Sequence, residues 1–239
     1  MGRLLLAAVY MWTSLLTVTP LIDEQQVRRV KSYIDERFTM KFGKQFAYVV
    51  KFTEDECKKN LSKQVIEEAL RYESKERMAK EVARDSIYEG HRMVLSTYQK
   101  CEKCRRRSYS LHAEYRLLDG DFSSPVSRLL LKQPFAQCTI FYSLNSPCTS
   151  KCLNPDGRYY IIHKLSGLFP DDKVFAFTEV FHRDTGERNL PIVRRRWGNL
   201  NSNQHLYRCT EYQCFQCFQN GALRNECHQS PWYRHNRLI

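Results

Sequence analysis

The stretch Cys138–Cys152, CTIFYSLNSPCTSKC, joins a predicted strand to a pair of cysteines. Its first half, Cys138–Leu144, is rich in β-branched and aromatic residues, a composition typical of a buried strand. Its second half places Cys148 and Cys152 beside Pro147, directly after that strand. The sequence therefore predicts a central strand that delivers two thiols at its end.

A second motif, His112-Ala113-Glu114, stands upstream at the predicted start of a helix. Zinc binds nitrogen and sulfur in a tetrahedron, and a catalytic zinc site has three protein ligands and one open position. His112, Cys148 and Cys152 supply such a set, and Glu114 can face the open position and carry a proton. The sequence therefore predicts a Zn²⁺ site held by these three residues, with Glu114 as the catalytic acid and base. In the alternative, His112 and Glu114 are solvated helix residues and the two cysteines join disulfides.

Predicted strands and helices alternate along most of the chain. Periodicity and composition place strands at Phe46–Phe52, Arg92–Tyr98, Cys138–Leu144, Val174–Phe181 and Leu206–Cys209. Helical patterns occur at Asp23–Phe38, Cys57–Asp85, Ser127–Leu131, Tyr159–Leu168 and Leu190–Trp197. A stapled helix or loop is expected at the end of the chain, around Cys214, Cys217 and Cys227. The pattern predicts one α/β domain over residues 20–239, with a mixed sheet flanked by helices.

The N-terminus has the pattern of a secretory signal peptide, which we assign to residues 1–19. Arg3 precedes the apolar stretch Leu4–Leu16, which is shorter than the about 20 residues that span a membrane. No other stretch is typical of a transmembrane segment. The ten cysteines are typical of an oxidising compartment, and eight remain for disulfides if two bind metal. We therefore expect a secreted, extracellular protein, in which Asn60-Leu61-Ser62 is a glycosylation sequon.

The chain carries a net charge of +12, from 38 basic and 26 acidic residues. Such an excess favours polyanionic partners, including nucleic acid, sulfated sugars and anionic membranes, although it also serves solubility. Two arginine triplets lie near aromatic residues, a combination that binds single-stranded nucleic acid. They are Arg105, Arg106 and Arg107, beside Tyr109, and Arg194, Arg195 and Arg196, before Trp197. The alternatives are two solvated basic faces or a site for a sulfated glycan.

Two further cysteine pairs offer a rival metal site. Cys101 and Cys104, and Cys214 and Cys217, are each separated by two residues, as in a four-cysteine structural zinc site. The gap between the pairs is far longer than the roughly 12–20 residues of common zinc modules. An oxidising compartment also favours disulfides for these residues.

The two central motifs, in this order, resemble those of the zinc-dependent cytidine deaminase superfamily, in which His-x-Glu precedes Pro-Cys and a second cysteine. More closely, the chain resembles the AID/APOBEC-like polynucleotide cytidine deaminases, and among them a secreted vertebrate branch. The resemblance extends from about Asp23 onward. Phe46–Phe52 fits the first strand of that family, and Thr139–Ser143 fits the aromatic strand that leads into Ser-Pro-Cys. Val174–Phe181 and Leu206–Phe218 fit its fourth and fifth strands and the helix that follows.

This resemblance implies a three-layer cytidine-deaminase-like fold with a mixed five-stranded sheet flanked by helices. Here it is accompanied by disulfides and by an inserted helical segment, Cys57–Asp85. The implied activity is hydrolysis of the amino group of cytosine by zinc-activated water, with Glu114 moving the proton. The implied partner is single-stranded DNA or RNA, or a free nucleoside.

Three features depart from the pattern of that family. Cys148 and Cys152 are separated by three residues rather than the usual two, so the loop between them must bulge. Asn145 stands where editing members usually carry a tryptophan beside the target base. The inserted segment and the signal-like start are the third departure. The changed spacing and the missing tryptophan favour an alternative function, a non-catalytic, disulfide-rich secreted protein that binds polyanions on a deaminase-like fold.

Overall fold

The computed structural model describes residues 22–38, 42–101, 109–132, 136–168, 172–202 and 205–229. The predicted signal peptide, residues 1–19, lies outside this part of the chain, as do Cys104 and the triplet Arg105–Arg107. Within the described residues, no helix is both long enough and apolar enough to cross a membrane.

The described residues form strands and helices in the alternation that the sequence predicts. The strands are β1 (Phe46–Thr53), β2 (Tyr88–Glu89), β3 (Met93–Thr97), β4 (Gln99–Cys101), β5 (Tyr109–Leu111), β6 (Ala136–Asn145), β7 (Asp172–Glu179), β8 (His205–Cys209), β9 (Cys214–Gln216), β10 (Phe218–Gln219) and β11 (Ala222–Leu223). The helices are α1 (Glu24–Phe38), α2 (Glu54–Lys58), α3 (Lys63–Ala69), α4 (Lys75–Ala83), α5 (Ala113–Leu118), α6 (Pro125–Leu131), α7 (Ile162–Leu168), α8 (Leu190–Asn201) and α9 (Asn225–His228).

Seven of these strands form one mixed sheet in the order β2-β3-β1-β6-β7-β8-β9. Strand β1 runs antiparallel to β3 and to β6, whereas β7 runs parallel to β6 and to β8. The five strands that the resemblance implies form the centre of this sheet. Two further strands extend it, β2 at one edge and β9 at the other. Both are only two or three residues long, too short for the alternation that identifies a strand in sequence.

Helices cover both faces of the sheet, and the molecule therefore has three layers. Successive residues of a strand point to opposite faces, and on β1 both sets are buried. Tyr48 and Val50 pack with Ile34 of α1 on one face, whereas Ala47 and Val49 pack beneath α5 to α8 on the other. The fold class predicted from the sequence is confirmed.

The carboxyl ends of β6 and β7 lie side by side because these two central strands are parallel. Phe141 and Phe175 stack face to face across the pair, with ring centroids 4.8 Å apart. Both rings are fully buried, and each burial contributes roughly 2–3 kcal/mol. This packing fixes the point from which two loops leave the sheet, one carrying Cys148 and the other carrying Phe181.

The inserted segment consists of the three short helices α2, α3 and α4 rather than one long helix. Thr53, Ser62 and Ser74 each accept a backbone N–H through a side-chain oxygen and so begin a new helix. Helix α2 is joined to β6 by the disulfide between Cys57 and Cys138. The insertion thus packs on the same face of the sheet as α1.

Two further disulfides stabilise the C-terminal part of the chain. Cys209 pairs with Cys214 across the β8–β9 turn, and Cys217 pairs with Cys227 of α9. Both cysteines of the 214/217 pair are therefore engaged in disulfides, and the rival four-cysteine zinc site is wrong. The last described residues, 205–229, combine strands β8 and β9, a β10–β11 hairpin and the short helix α9.

Candidate metal centre

His112 and Glu114 lie at the beginning of α5, where the backbone leaves β5. His112 is the N-cap residue, with φ −71° and ψ 148°, and its side chain does not cap the helix. The side chain of Gln45 instead satisfies one of the first N–H groups of the helix, because its Oε1 accepts a hydrogen bond from Ala113 N at 3.3 Å. The imidazole is therefore free to point towards the loop after β6.

The ring of His112 meets both thiols of the motif after β6. Its Nδ1 lies 3.6 Å from Cys148 Sγ and 3.3 Å from Cys152 Sγ. All three atoms lie within 4.8 Å of one another. Zinc–nitrogen bonds of about 2.0–2.1 Å and zinc–sulfur bonds of about 2.3 Å at a tetrahedral angle separate nitrogen from sulfur by about 3.6 Å. The donor set and its spacing therefore fit a zinc ion.

The two thiols are buried and unpaired, so the alternative in which they join disulfides is wrong. A hydrogen bond from the Cys152 thiol lowers the pKa of Cys148 to about 4, and the neighbouring His112 adds to this effect. The same hydrogen bond and burial raise the pKa of Cys152. One thiolate is thus present at neutral pH, and the second proton is the one that a bound metal would displace.

Glu114 is the buried carboxylate of this site, with an exposed fraction of only 1%. Its Oε1 accepts a hydrogen bond from Ser143 Oγ at 2.7 Å, and that hydroxyl in turn accepts from Gln45 Nε2 at 3.1 Å. Its Oε2 is buried without a hydrogen-bond partner. Burial raises the pKa of Glu114, although the nearby His112 and the Ser143 hydrogen bond oppose this effect. A carboxyl group whose pKa is raised by burial holds a proton more readily than an exposed one.

His112, Glu114 and Gln45 line a cavity of about 350 Å³, large enough for a single nucleobase. Its wall is formed by Gln45, Tyr98, Ser110, His112, Glu114, Asn145, Ser146, Ser150, Lys151, Phe181, His182 and Arg183. The rings of Tyr98 and Phe181 are both tilted against the ring of His112, at centroid distances of 6.1 and 6.3 Å. Lys151 and Arg183 are the cations of the wall, and Glu114 is its carboxylate. The cavity therefore combines aromatic rings, a buried carboxylate and two cationic side chains.

The second arginine triplet is divided between surface and interior. Arg194 and Arg195 are exposed on α8, as a nucleic-acid interface requires. Arg196 instead donates hydrogen bonds to Thr149 O and, at 3.0 Å, to Asn154 Oδ1. Trp197 is fully buried and meets Phe177 edge to face at 5.0 Å. Trp197 is thus a core residue that cannot stack on a base, a correction to the predicted interface.

Ser143 and Gln45 are site residues that the sequence did not reveal. Their types occur throughout the chain, and only the pairing of Ala47 with Ser143 on β1 and β6 brings them beside Glu114. Asn145 does line the cavity, at the place that the family resemblance assigns to the base-stacking tryptophan.

A His-x-Glu motif at a helix start that meets two thiols after a central strand is the arrangement typical of zinc-dependent nucleobase deaminases. The family model described as Secreted Novel AID/APOBEC-like Deaminase 2 matches residues 27–227, and the chain belongs to this family. The matched region contains the whole metal centre, and the family name agrees with the expected secretion. No curated protein and no solved structure shows significant similarity to the chain.

Proposed function

We propose that the chain is a secreted zinc-dependent hydrolase that removes the amino group of cytosine in single-stranded DNA or RNA. The observation that carries this proposal is the position of Glu114, a buried carboxylate with one unpartnered oxygen. It lines the same cavity as His112, whose ring nitrogen and the buried sulfurs of Cys148 and Cys152 are three donor atoms spaced for zinc. Water and the cytosine amino group would be converted into a carbonyl and ammonia.

His112, Cys148 and Cys152 would hold zinc, which supplies a Lewis acid that makes water a stronger nucleophile. Glu114 then accepts the proton of the attacking water and delivers it to the departing amine. The Ser143 hydroxyl holds Oε1 of this carboxyl group, which leaves Oε2 to carry the proton. Because burial raises its pKa, Glu114 can hold that proton between the two steps.

The cavity wall supports a nucleotide as the substrate. The rings of Tyr98 and Phe181 offer apolar sides to a flat base, and the amide of Asn145 can bond to its edge. Lys151 and Arg183 at the rim are suited to a phosphate group. For a longer strand we propose the exposed Arg194 and Arg195 as further contacts, together with the triplet Arg105–Arg107.

The export of the chain remains a proposal of its own. We propose that residues 1–19 are removed as a signal peptide and that residues 20–239 form the mature deaminase domain. N-terminal sequencing of protein collected from the medium of expressing eukaryotic cells tests this cleavage. Retention of the full-length chain inside the cells would contradict it.

The activity is tested by incubating the zinc-loaded protein with cytosine-containing single-stranded DNA, the matching RNA and free cytidine. Conversion to uracil adds about 1 Da and releases one ammonia, and both can be measured. Glu114→Gln should retain zinc and lose activity by roughly 10²-fold or more. If the zinc-loaded protein binds single-stranded DNA or RNA but converts none of the three substrates, the result would favour the alternative function, a non-catalytic polyanion binder.

A further inference from the structure

Thr149, the residue after Cys148, is held on both sides by charged side chains from outside its own loop. Its backbone N–H donates to Asp184 Oδ2 at 2.8 Å, and its hydroxyl donates to Asp184 Oδ1. Its carbonyl oxygen accepts a hydrogen bond from Arg196 Nη1. Two side chains thus engage the amide, the hydroxyl and the carbonyl of one loop residue.

Both of these side chains are withdrawn from water. Asp184 is 3% exposed, and Arg196 is half-buried. Burial of a charged group is costly unless hydrogen bonds replace its lost water. The Asp184 carboxylate receives both hydrogen bonds from Thr149, and Arg196 divides its hydrogen bonds between Thr149 and Asn154. One buried and one half-buried charged side chain therefore both bond to Thr149, in the loop between Cys148 and Cys152.

The loop after β7 is attached to the ligand loop at a second point. Phe181 N donates to Ser146 Oγ at 2.9 Å, and Asp184 N donates to Phe181 O at 2.8 Å. The contacts to Ser146 and Thr149 lie on the two sides of Cys148 along the chain. This sulfur ligand is therefore bracketed by hydrogen bonds from a single neighbouring loop.

We propose that Asp184 and Arg196 are positioning residues of the metal centre. Three residues separate Cys148 from Cys152, one more than the usual two, and the additional residue must fit without displacing either sulfur. By holding Thr149 from two sides, the pair fixes the direction in which the loop bulges and keeps both sulfurs beside His112. This inference rests on the proposed function, since a zinc site requires both sulfurs at fixed positions.

The test compares the zinc affinities of purified variants by competition with a chelator of known affinity. Asp184→Ala and Arg196→Ala should each bind zinc at least about tenfold more weakly, the range seen when supports of metal ligands are removed. Asp184→Asn keeps an acceptor for the Thr149 N–H and should lose less. Asp156→Ala is the matched control, because this exposed aspartate follows Cys152 on the same segment.

A second readout separates positioning from stability. In the cobalt-substituted protein, thiolate-to-cobalt charge-transfer bands and the visible ligand-field bands report the ligand geometry. These bands should weaken or shift in Asp184→Ala, recover in part in Asp184→Asn and remain unchanged in Asp156→Ala. Thermal unfolding of the metal-free proteins shows whether each variant is folded.

The outcomes distinguish this inference from the proposed function. If the wild-type protein binds zinc and folded Asp184→Ala matches its affinity and cobalt spectrum, the positioning role is wrong and the zinc site stands. If Asp184→Ala does not fold, Arg196→Ala decides in the same way. If the wild-type protein binds no zinc, the proposed function fails and this inference fails with it.

Discussion

Ser143 links the buried carboxylate of Glu114 to the scaffold of the sheet. Its hydroxyl donates to Glu114 Oε1 and accepts from Gln45 Nε2, so one hydrogen-bonded chain connects β6, the start of β1 and α5. Without that donor, the carboxyl group would keep its burial but lose its fixed direction. The unpartnered Oε2 would then no longer be held towards the cavity.

We expect Ser143→Ala to lower kcat roughly tenfold, because Glu114 would be less well oriented for proton transfer. Zinc content should stay at the wild-type level, since Ser143 does not contact the three donor atoms. Steady-state kinetics and metal analysis of the same sample measure both quantities. Ser96→Ala is the matched control, because Ser96 is equally buried on β3 and bonds to Thr97 O instead. Wild-type turnover in Ser143→Ala would remove this serine from the mechanism.

Lys51 is a fully buried amine on β1, and its Nζ donates to Leu129 O. Burial, assisted by the charges of Arg92 and Lys132, lowers its pKa from 10.5 to about 8. Between these two values the unfolded chain holds a proton that the folded chain releases, so stability rises with pH in this window. Below pH 8 the Lys51 ammonium is charged in both the folded and the unfolded chain, and the free-energy cost of burying that charge is fully present.

We therefore expect Lys51→Met to be more stable than the wild-type protein at pH 7. The gain is at most about 3 kcal/mol, and loss of the hydrogen bond to Leu129 O reduces it. The difference in free energy of unfolding should shrink as pH rises from 8 to 10.5. Denaturant unfolding of both proteins across this range measures it. A difference that stays constant with pH would show that Lys51 has its ordinary pKa.

At the scale of residues, the sequence predicts which side chains could bind a metal better than it predicts which side chains are buried. His112, Cys148 and Cys152 could be selected because their types and spacing suit zinc, and the structure brings them together. Arg196 and Trp197 have the pattern of a surface that binds single-stranded nucleic acid. In the structure, however, Arg196 contacts the loop that carries Cys148 and Cys152, and Trp197 lies in the core. Only the packing of α8 on the sheet decides which side of the helix is exposed.

At the scale of elements, long amphipathic segments were predicted within a few residues. Helix α1 and strand β1 have enough periods to define their faces, and their observed bounds agree with the predicted ones. The segment predicted from Tyr159 starts as a helix only at Ile162, because residues 155–159 form a turn. Edge strands β2 and β9 depend on their neighbours for pairing and leave no periodic signal.

The disulfide between Cys57 and Cys138 should contribute more to the free energy of unfolding than the disulfide between Cys209 and Cys214 at the β8–β9 turn. The first closes a loop of 81 residues and the second, Cys209–Cys214, a loop of five. Chain entropy assigns them about 4.5 and about 2 kcal/mol. Alanine pairs at the two sites should therefore differ in free energy of unfolding by roughly 2.5 kcal/mol. Equal losses by denaturant titration would show that loop length does not set these contributions.

At the scale of the whole molecule, the net charge of +12 should make the affinity for single-stranded nucleic acid depend strongly on salt. For Arg194→Gln combined with Arg195→Gln, we expect the slope of log affinity against log salt to fall by about 1.4, since each lost phosphate contact contributes about 0.7. Fluorescence anisotropy with a labelled single strand measures the slope. The charge-matched control replaces exposed Lys63 and Lys80 of the insertion with glutamine. Equal slopes in both double variants would indicate diffuse attraction without a defined interface.

The unpaired state of Cys148 and Cys152 has a consequence for how the chain matures. Three disulfides form among the described residues, and the same oxidants would join these two adjacent thiols if nothing protected them. For the proposed exported zinc protein, metal loading and oxidation of these two thiols would compete, and the order of the two events would decide the yield of metal-bound protein. In material collected from zinc-depleted cells, we expect mass spectrometry to find a Cys148–Cys152 bridge, 2 Da lighter than the dithiol. Zinc supply along the proposed export route would then determine how much of the protein leaves the cell with both thiols reduced.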